Sequence, residues 1–227
     1  MPKHIGIILD GNRRFAKRLM QNPAKGHEWG YRKIKELFDW CRELKIQELT
    51  LYAFSLENFD RPKIEFDYLM KLVKKAFKEL YKEKNLSETK ISFIGRIWMF
   101  PKDVQREMFR LIEKTKNNKP FKINFAMAYS GRAEIVDAVK KIAEKVKYGS
   151  LDPSAISENT IKNNLYIDSD PDLIIRTAES RLSGFLLWQS SYSEIIFLPN
   201  KLWPEFSKKD FIGCLEEYSK RERRFGK

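Results

Sequence analysis

The chain has 227 residues, 42% hydrophobic and 33% charged, with 44 Lys and Arg against 31 Asp and Glu for a net charge of +13. That apolar content excludes a disordered polymer, and no apolar run approaches the roughly 18 residues of a membrane-spanning helix. The start, Met1-Pro2-Lys3 leading into Ile5-Gly6-Ile7-Ile8-Leu9, lacks the layout of a secretory signal, and two distant cysteines, Cys41 and Cys214, exclude a disulfide framework and a Cys-type zinc site, as suits a reducing cytoplasm.

Short apolar runs alternate with amphipathic stretches of helical length. Strands are expected at 5–10, 48–54, 90–95, 121–129, 172–176 and 194–198, and helices at about 28–45, 65–84, 102–117, 131–148 and 207–223. Near-continuous Ile, Leu and Phe runs are what strands show when helices cover both faces. The expected fold is therefore one α/β domain over 1–227, with a mostly parallel, doubly wound six-stranded sheet flanked by helices. Ligands of such sheets bind beyond the carboxyl ends of the strands, which makes the segments after each strand the place for a site.

After the first strand comes Asp10-Gly11-Asn12-Arg13-Arg14: an acid ends the strand, a glycine lets the backbone turn, and two arginines follow. Guanidinium forks grip phosphate oxygens and a carboxylate can hold Mg²⁺ against them; an Asp that merely caps a helix is the plainer reading. After the second strand comes Ser55-Leu56-Glu57-Asn58-Phe59-Asp60-Arg61-Pro62, and after the fifth Thr177-Ala178-Glu179-Ser180-Arg181-Leu182-Ser183. Converging strand ends would gather Arg14, Arg61, Arg176 and Arg181 into one crevice, more guanidinium than one phosphate needs, and two phosphorylated ligands would account for it. Ordinary surface ion pairing is the alternative.

No Walker loop, dinucleotide fingerprint, serine-hydrolase elbow or zinc-peptidase motif is present, and with only His4 and His27 a His-rich metal site is impossible. His4, at the start of a strand, reads as a packed imidazole. The net +13 also suits a nucleic-acid-binding domain, but no motif of that kind occurs and the arginines stand at strand ends rather than along one stripe, so no nucleic-acid partner is expected.

Several blocks together resemble the cis-prenyltransferases, the undecaprenyl and dehydrodolichyl diphosphate synthase family. They are His4 to Ala16, Gly26-His27-x-x-Gly30, Leu51 to Pro62, Asp172 to Thr177 with Arg181-x-Ser183, Phe185 to Gln189, Glu194, Leu202 to Phe206, and the closing Arg221 to Gly226. The resemblance implies a Mg²⁺-dependent transferase that extends an allylic diphosphate, farnesyl or geranylgeranyl, by successive cis additions of isopentenyl diphosphate, giving a polyprenyl diphosphate for a lipid glycan carrier. It implies that Asp10 organises metal and diphosphate, and that Glu194 helps to position the metal across a subunit boundary. Gly11, Asn12, Arg13, Arg14 and Arg61 would hold the allylic diphosphate, and His27 would add a hydrogen bond. Arg176, Arg181 and Ser183 would bind isopentenyl diphosphate, joined by Arg224 and Gly226 from the partner subunit of a homodimer. Ser55 and Asn58 would assist proton loss. Phe66, Leu69, Met70, Val73 and Phe77 would line a hydrophobic tunnel between sheet and helices.

Two departures from the family pattern stand out. Pro23 occupies the place of an arginine, for which Arg18 and Lys25 are the candidate substitutes, and Thr177-Ala178-Glu179 replaces a glycine pair. They leave a related enzyme with a different acceptor as the alternative. A long polyprenyl product and a Lys-rich surface add a peripheral membrane contact to an otherwise cytoplasmic expectation.

Overall fold

The computed structural model describes residues 1–221; Arg224 and Gly226 lie outside the described residues. Six strands form one all-parallel sheet: β1 (His4–Ile8), β2 (Glu48–Ser55), β3 (Thr89–Ile94), β4 (Phe121–Tyr129), β5 (Leu173–Thr177) and β6 (Glu194–Leu198), in the order β3-β4-β2-β1-β5-β6. Every residue of β1 and β5 is buried, which explains why these strands read as unbroken apolar runs. The crossovers carry α1 (Asn12–Arg18), α2 (Gly26–Glu43), α3 (Lys63–Leu80), α4 (Lys102–Thr115), α5 (Gly131–Lys147) and α6 (Glu158–Lys162), and α7 (Lys208–Lys220) follows the last strand.

Two of these helices, α1 and α6, are absent from the sequence expectation. They have seven and five residues, too few for a 3.6-residue period to show. The expected helix 65–84 begins two residues earlier, after Pro62, and stops at Leu80, because Lys84–Glu88 coils into a 3-10 turn leading to β3. The last helix ends at Lys220, where Arg221 is extended (φ −85°, ψ 133°).

Ile5, Ile7, Leu49, Leu51 and Ile123 from one face of the sheet join Leu37 and Phe38 of α2, Phe77 of α3 and Met108 of α4 in the larger core. Truncating a side chain such as Leu51, fully buried there, costs about 3 kcal/mol. The other face packs Ile8, Ala126, Tyr129 and Ile174 against Phe185 and Leu186. It also carries polar groups: His4 Nε2 is 2.7 Å from Thr50 Oγ1, in keeping with the packed role expected of it, and burial lowers its pKa. Glu134, also buried, accepts from Tyr129 Oη, from Gln189 Nε2 (3.1 Å) and from the Tyr166 amide (2.8 Å), tying the 182–190 segment to α5. Both cysteines are buried and free.

Strands β2, β1 and β5 lie side by side at the centre, so their carboxyl ends, Ser55, Asp10 and Thr177, open on one crevice. The order reverses at β1, with β2 on one flank and β5 on the other, and this is where a doubly wound sheet leaves room for a ligand.

Candidate active site

The end of β1 is clasped to the end of β5. Thr177 Oγ1 donates to the Asp10 carbonyl (2.7 Å) and accepts from the Asp10 amide (3.2 Å). Gly11 follows at φ +105°, a left-handed conformation, and a Cβ there would lie 3.0 Å from the Leu202 Cα. The turn sends α1 across the mouth of the crevice and presses it on α2. At Gly26 a Cβ would meet the Asn12 carbonyl oxygen at 1.9 Å, and at Gly30 the Asn12 Oδ1 at 2.2 Å. The Gly-His-x-x-Gly block is thus the seat of Asn12, and it brings His27 to the crevice.

Asp10 accepts from the Gly11 amide (2.6 Å) and from Arg176 Nη2 (2.9 Å), and pairs with Arg14 Nη2 at 3.2 Å. Arg176 is 3% exposed; its second arm donates to Ser183 Oγ (2.6 Å) and to the Arg181 carbonyl. Glu179 then links the two outer arginines, accepting from Arg14 at 2.9 Å and from Arg181 at 2.8 Å. A second cluster surrounds Glu65, whose Oε1 lies 2.8 Å from Arg61, 3.6 Å from Arg13 and 3.9 Å from His27 Nε2. Arg61 Nη1 donates to His27 Nε2 across 3.2 Å. Burial, with Arg61 and Arg13 nearby, lowers the His27 pKa to about 4, so its imidazole is neutral at physiological pH. Ser55 and Asn58 brace each other by a capping box, the Ser55 amide donating to Asn58 Oδ1 at 3.2 Å.

Behind this charged mouth lies a cavity of about 700 Å³ between the sheet and helices α2 and α3. Asp10, Asn12, His27, Ser55, Asn58, Arg61, Arg176 and Ser183 all line it. Arg13, Arg14 and Arg181 are not among its lining residues; they are held at the rim by Glu65 and Glu179. Of the expected tunnel residues, Leu69, Val73 and Phe77 line the cavity, with Leu72, Ala76 and Leu80 completing the stripe. Phe66 and Met70 do not. Phe66 packs on Phe54 and Phe59, at 6.4 and 5.6 Å between ring centroids, and Met70 belongs to the core. The far end turns polar, with Lys35, Asp39, Arg42, Glu83 and Asn85.

Glu194 begins β6 in register with Leu173, at the amino end of the sheet, and is bound by Arg221 at 2.8 Å. It does not meet Asp10 in the same subunit, since a five-residue strand separates the two levels. Neither candidate for the arginine missing at Pro23 reaches the cavity: Arg18 is engaged by Glu205 and Lys25 by Gln21. Ala178 sits at φ +69°, the left-handed region, a conformation that costs an alanine strain which a glycine would not bear.

Glu65 and Glu179 are the site residues that strand-end reasoning missed. The four-residue spacing from Arg61 to Glu65 was the available signal for one, and the neighbouring Arg181 for the other. Together with Asp10 they preorient the rim arginines in two cationic clusters above one apolar cavity, a shape suited to amphiphiles with anionic heads and hydrocarbon tails.

Comparison with known proteins agrees with this geometry. A family model described as undecaprenyl diphosphate synthase matches residues 8–226. The tritrans,polycis-undecaprenyl-diphosphate synthase (geranylgeranyl-diphosphate specific) of Methanocaldococcus jannaschii is 47% identical over 234 aligned positions, covering 100% of this chain and 83% of the relative. An isoprenyl transferase of Thermus thermophilus is 44% identical, covering 100% and 89%. Among solved structures, lavandulyl diphosphate synthase from Lavandula x intermedia, in complex with dimethylallyl diphosphate, superposes with a TM-score of 0.93 at 36% identity, covering 100% of this chain and 98% of that one. Matched in sequence and fold along essentially its whole length, the chain belongs to the undecaprenyl diphosphate synthase family of cis-prenyltransferases.

Proposed function

We propose that the protein extends an allylic prenyl diphosphate by successive cis additions of isopentenyl diphosphate, giving a polyprenyl diphosphate for a lipid glycan carrier. The observation that carries this reading is the pairing of two arginine clusters at one mouth with a single apolar cavity behind them. One cluster suits the diphosphate whose hydrocarbon fills the cavity, the other the diphosphate of the incoming five-carbon unit. The M. jannaschii relative is named as geranylgeranyl-specific, which makes geranylgeranyl diphosphate the first primer to test.

The residues present fit a divalent cation. Asp10 offers a hard carboxylate at the mouth beside guanidinium groups that take phosphate, and Mg²⁺ characteristically binds one or two carboxylates and completes its shell with phosphate oxygens and water. When bound, Mg²⁺ neutralises charge on the departing diphosphate. Gly11, Asn12, Arg13, Arg14 and Arg61 hold the allylic diphosphate, with neutral His27 accepting from Arg61 and fixing its orientation. Arg176, Arg181 and Ser183 hold isopentenyl diphosphate. Ser55 and Asn58 orient that unit as it loses its proton to the released diphosphate, and Leu69, Val73 and Phe77 receive the lengthening chain. Arg224 and Gly226 complete the second pocket from the partner of a homodimer, and Glu194 acts across that boundary. The protein works in the cytoplasm, at the membrane surface that accepts its product.

The test is incubation of the purified chain with farnesyl or geranylgeranyl diphosphate, labelled isopentenyl diphosphate and Mg²⁺, with products resolved by length. Extended products that disappear with a chelator support the proposal. No incorporation from either primer overturns it in favour of a different acceptor.

A further inference from the structure

Helix α3 has two faces of opposite character. One is the cavity wall; the other carries Lys71, Lys74, Lys75 and Lys78 with Glu79 among them, and Lys82 follows just past the end of the helix. Lys74 is engaged by Asp103 of α4 and Lys75 stands 3.9 Å from Glu79. Among the described residues Lys71, Lys78 and Lys82 form no ion pair.

Helix α4 packs on α3 and continues this surface. Arg110 and Lys114 lie over the Tyr81 ring at 4.6 and 4.0 Å, and Lys102 and Arg106 are exposed without a carboxylate partner among the described residues. Phe109 projects from the same row and is 51% exposed. The Gln105 side chain donates to the carbonyls of Trp98 (3.1 Å) and Phe100 (2.6 Å), which holds the 97–99 turn against that side of α4 with Trp98 60% and Met99 43% exposed.

We propose that this α3–α4 face docks on an anionic lipid bilayer, with Trp98, Met99 and Phe109 entering the headgroup region and the lysines of α3 lying over acidic headgroups. Aromatic and apolar side chains ringed by Lys and Arg are the composition of an interfacial membrane surface. A nucleic acid would engage the cations but offer Met99 and Phe109 no hydrocarbon. The face is the outer side of the helix that lines the cavity, so docking brings the wall around the growing chain against the phase in which that chain dissolves. This last point rests on the polyprenyl product proposed above; the docking itself does not require turnover.

Co-sedimentation of the full chain with vesicles tests it, without substrates, so that a failed extension assay and a failed docking assay are separate results. Partition onto phosphatidylglycerol-containing vesicles, absent with pure phosphatidylcholine and weakening with salt, is expected. The triple variant Lys71→Gln/Lys75→Gln/Lys78→Gln is expected to lower the partition constant about 100-fold, and Trp98→Ala/Phe109→Ala about tenfold without changing the salt dependence. A triple elsewhere, Lys3→Gln/Lys140→Gln/Lys209→Gln, is expected to leave partition unchanged. Equal losses from both triples, indifference to Trp98→Ala/Phe109→Ala as a nucleic-acid-binding face would show, or no partition onto anionic vesicles would each overturn the proposal.

Discussion

Replacing Asp10 by asparagine separates the charge of this side chain from its shape. At 2.9 Å and an effective dielectric of about 20, the attraction between Asp10 and Arg176 is roughly 6 kcal/mol, and desolvation of both groups offsets much of it. The Asp10 side chain is 33% exposed and asparagine keeps an acceptor for Gly11 or Arg176. The net loss of stability is therefore about 2–3 kcal/mol, which lowers Tm by about 8 °C in a domain of this size. Turnover should fall further. Asparagine is a poor Mg²⁺ donor, and losing about 4 kcal/mol of stabilisation of the departing diphosphate costs about 10³-fold in kcat. Thermal unfolding followed by circular dichroism and incorporation of labelled isopentenyl diphosphate measure the two effects on one preparation. A folded Asp10→Asn protein whose kcat stays within about tenfold of the parent would refute the assignment of Asp10 as the organiser of the leaving group.

Arg176→Ala and Arg181→Ala should both raise the KM for isopentenyl diphosphate by about 30-fold, the worth of one charge-assisted contact. Only Arg176→Ala should also cost about 3 kcal/mol of stability, since Arg176 is buried whereas the Arg181 side chain is 63% exposed; an unchanged KM in both removes them from that pocket. His27, with its pKa lowered to about 4, refuses a proton that the unfolded chain accepts below about pH 6.5, so stability falls as pH drops through that window. Chemical denaturation between about pH 7 and pH 5 should show His27→Gln losing about 2 kcal/mol less than the parent, and equal losses would contradict a buried neutral imidazole. Ala76→Phe should shorten the products by at least one five-carbon unit because Ala76 faces the cavity, while Phe66→Leu, outside it, should leave their length unchanged; mass spectrometry of the dephosphorylated products reads this directly.

Much of the sheet was legible because both of its faces are covered, leaving β1, β4 and β5 as apolar runs that only a buried strand explains. The mouth was legible for a topological reason: once the strands were parallel, Asp10, Ser55 and Arg176 had to emerge at one edge. Which stripe of α3 meets the cavity was not. Phe66, Met70 and Val73 share one broad apolar arc, and a 3.6-residue period gives no means of dividing core from cavity within it. Glu194 illustrates the other limit: the expected strand 194–198 already has it first, but nothing in its motif says that this amino end of the sheet lies a full strand away from Asp10. Glu65 and Glu179 were hidden because a carboxylate that orients arginines looks, in sequence, like any surface acid.

The clasp between Thr177 and Asp10 joins residues 167 positions apart, and this has a consequence for biosynthesis. Central β1 takes one neighbour, β2, early in the chain, but its other edge stays open until β5 has been synthesised. The nascent protein therefore carries an unpaired apolar strand edge through most of its translation, a condition that favours slow folding and chaperone dependence. The diphosphate mouth exists only once that late pairing closes. A ligand bridging Asp10 and Arg176 would then brace a late-formed seam at the centre of the sheet, so substrate occupancy should slow global unfolding as well as protect the site.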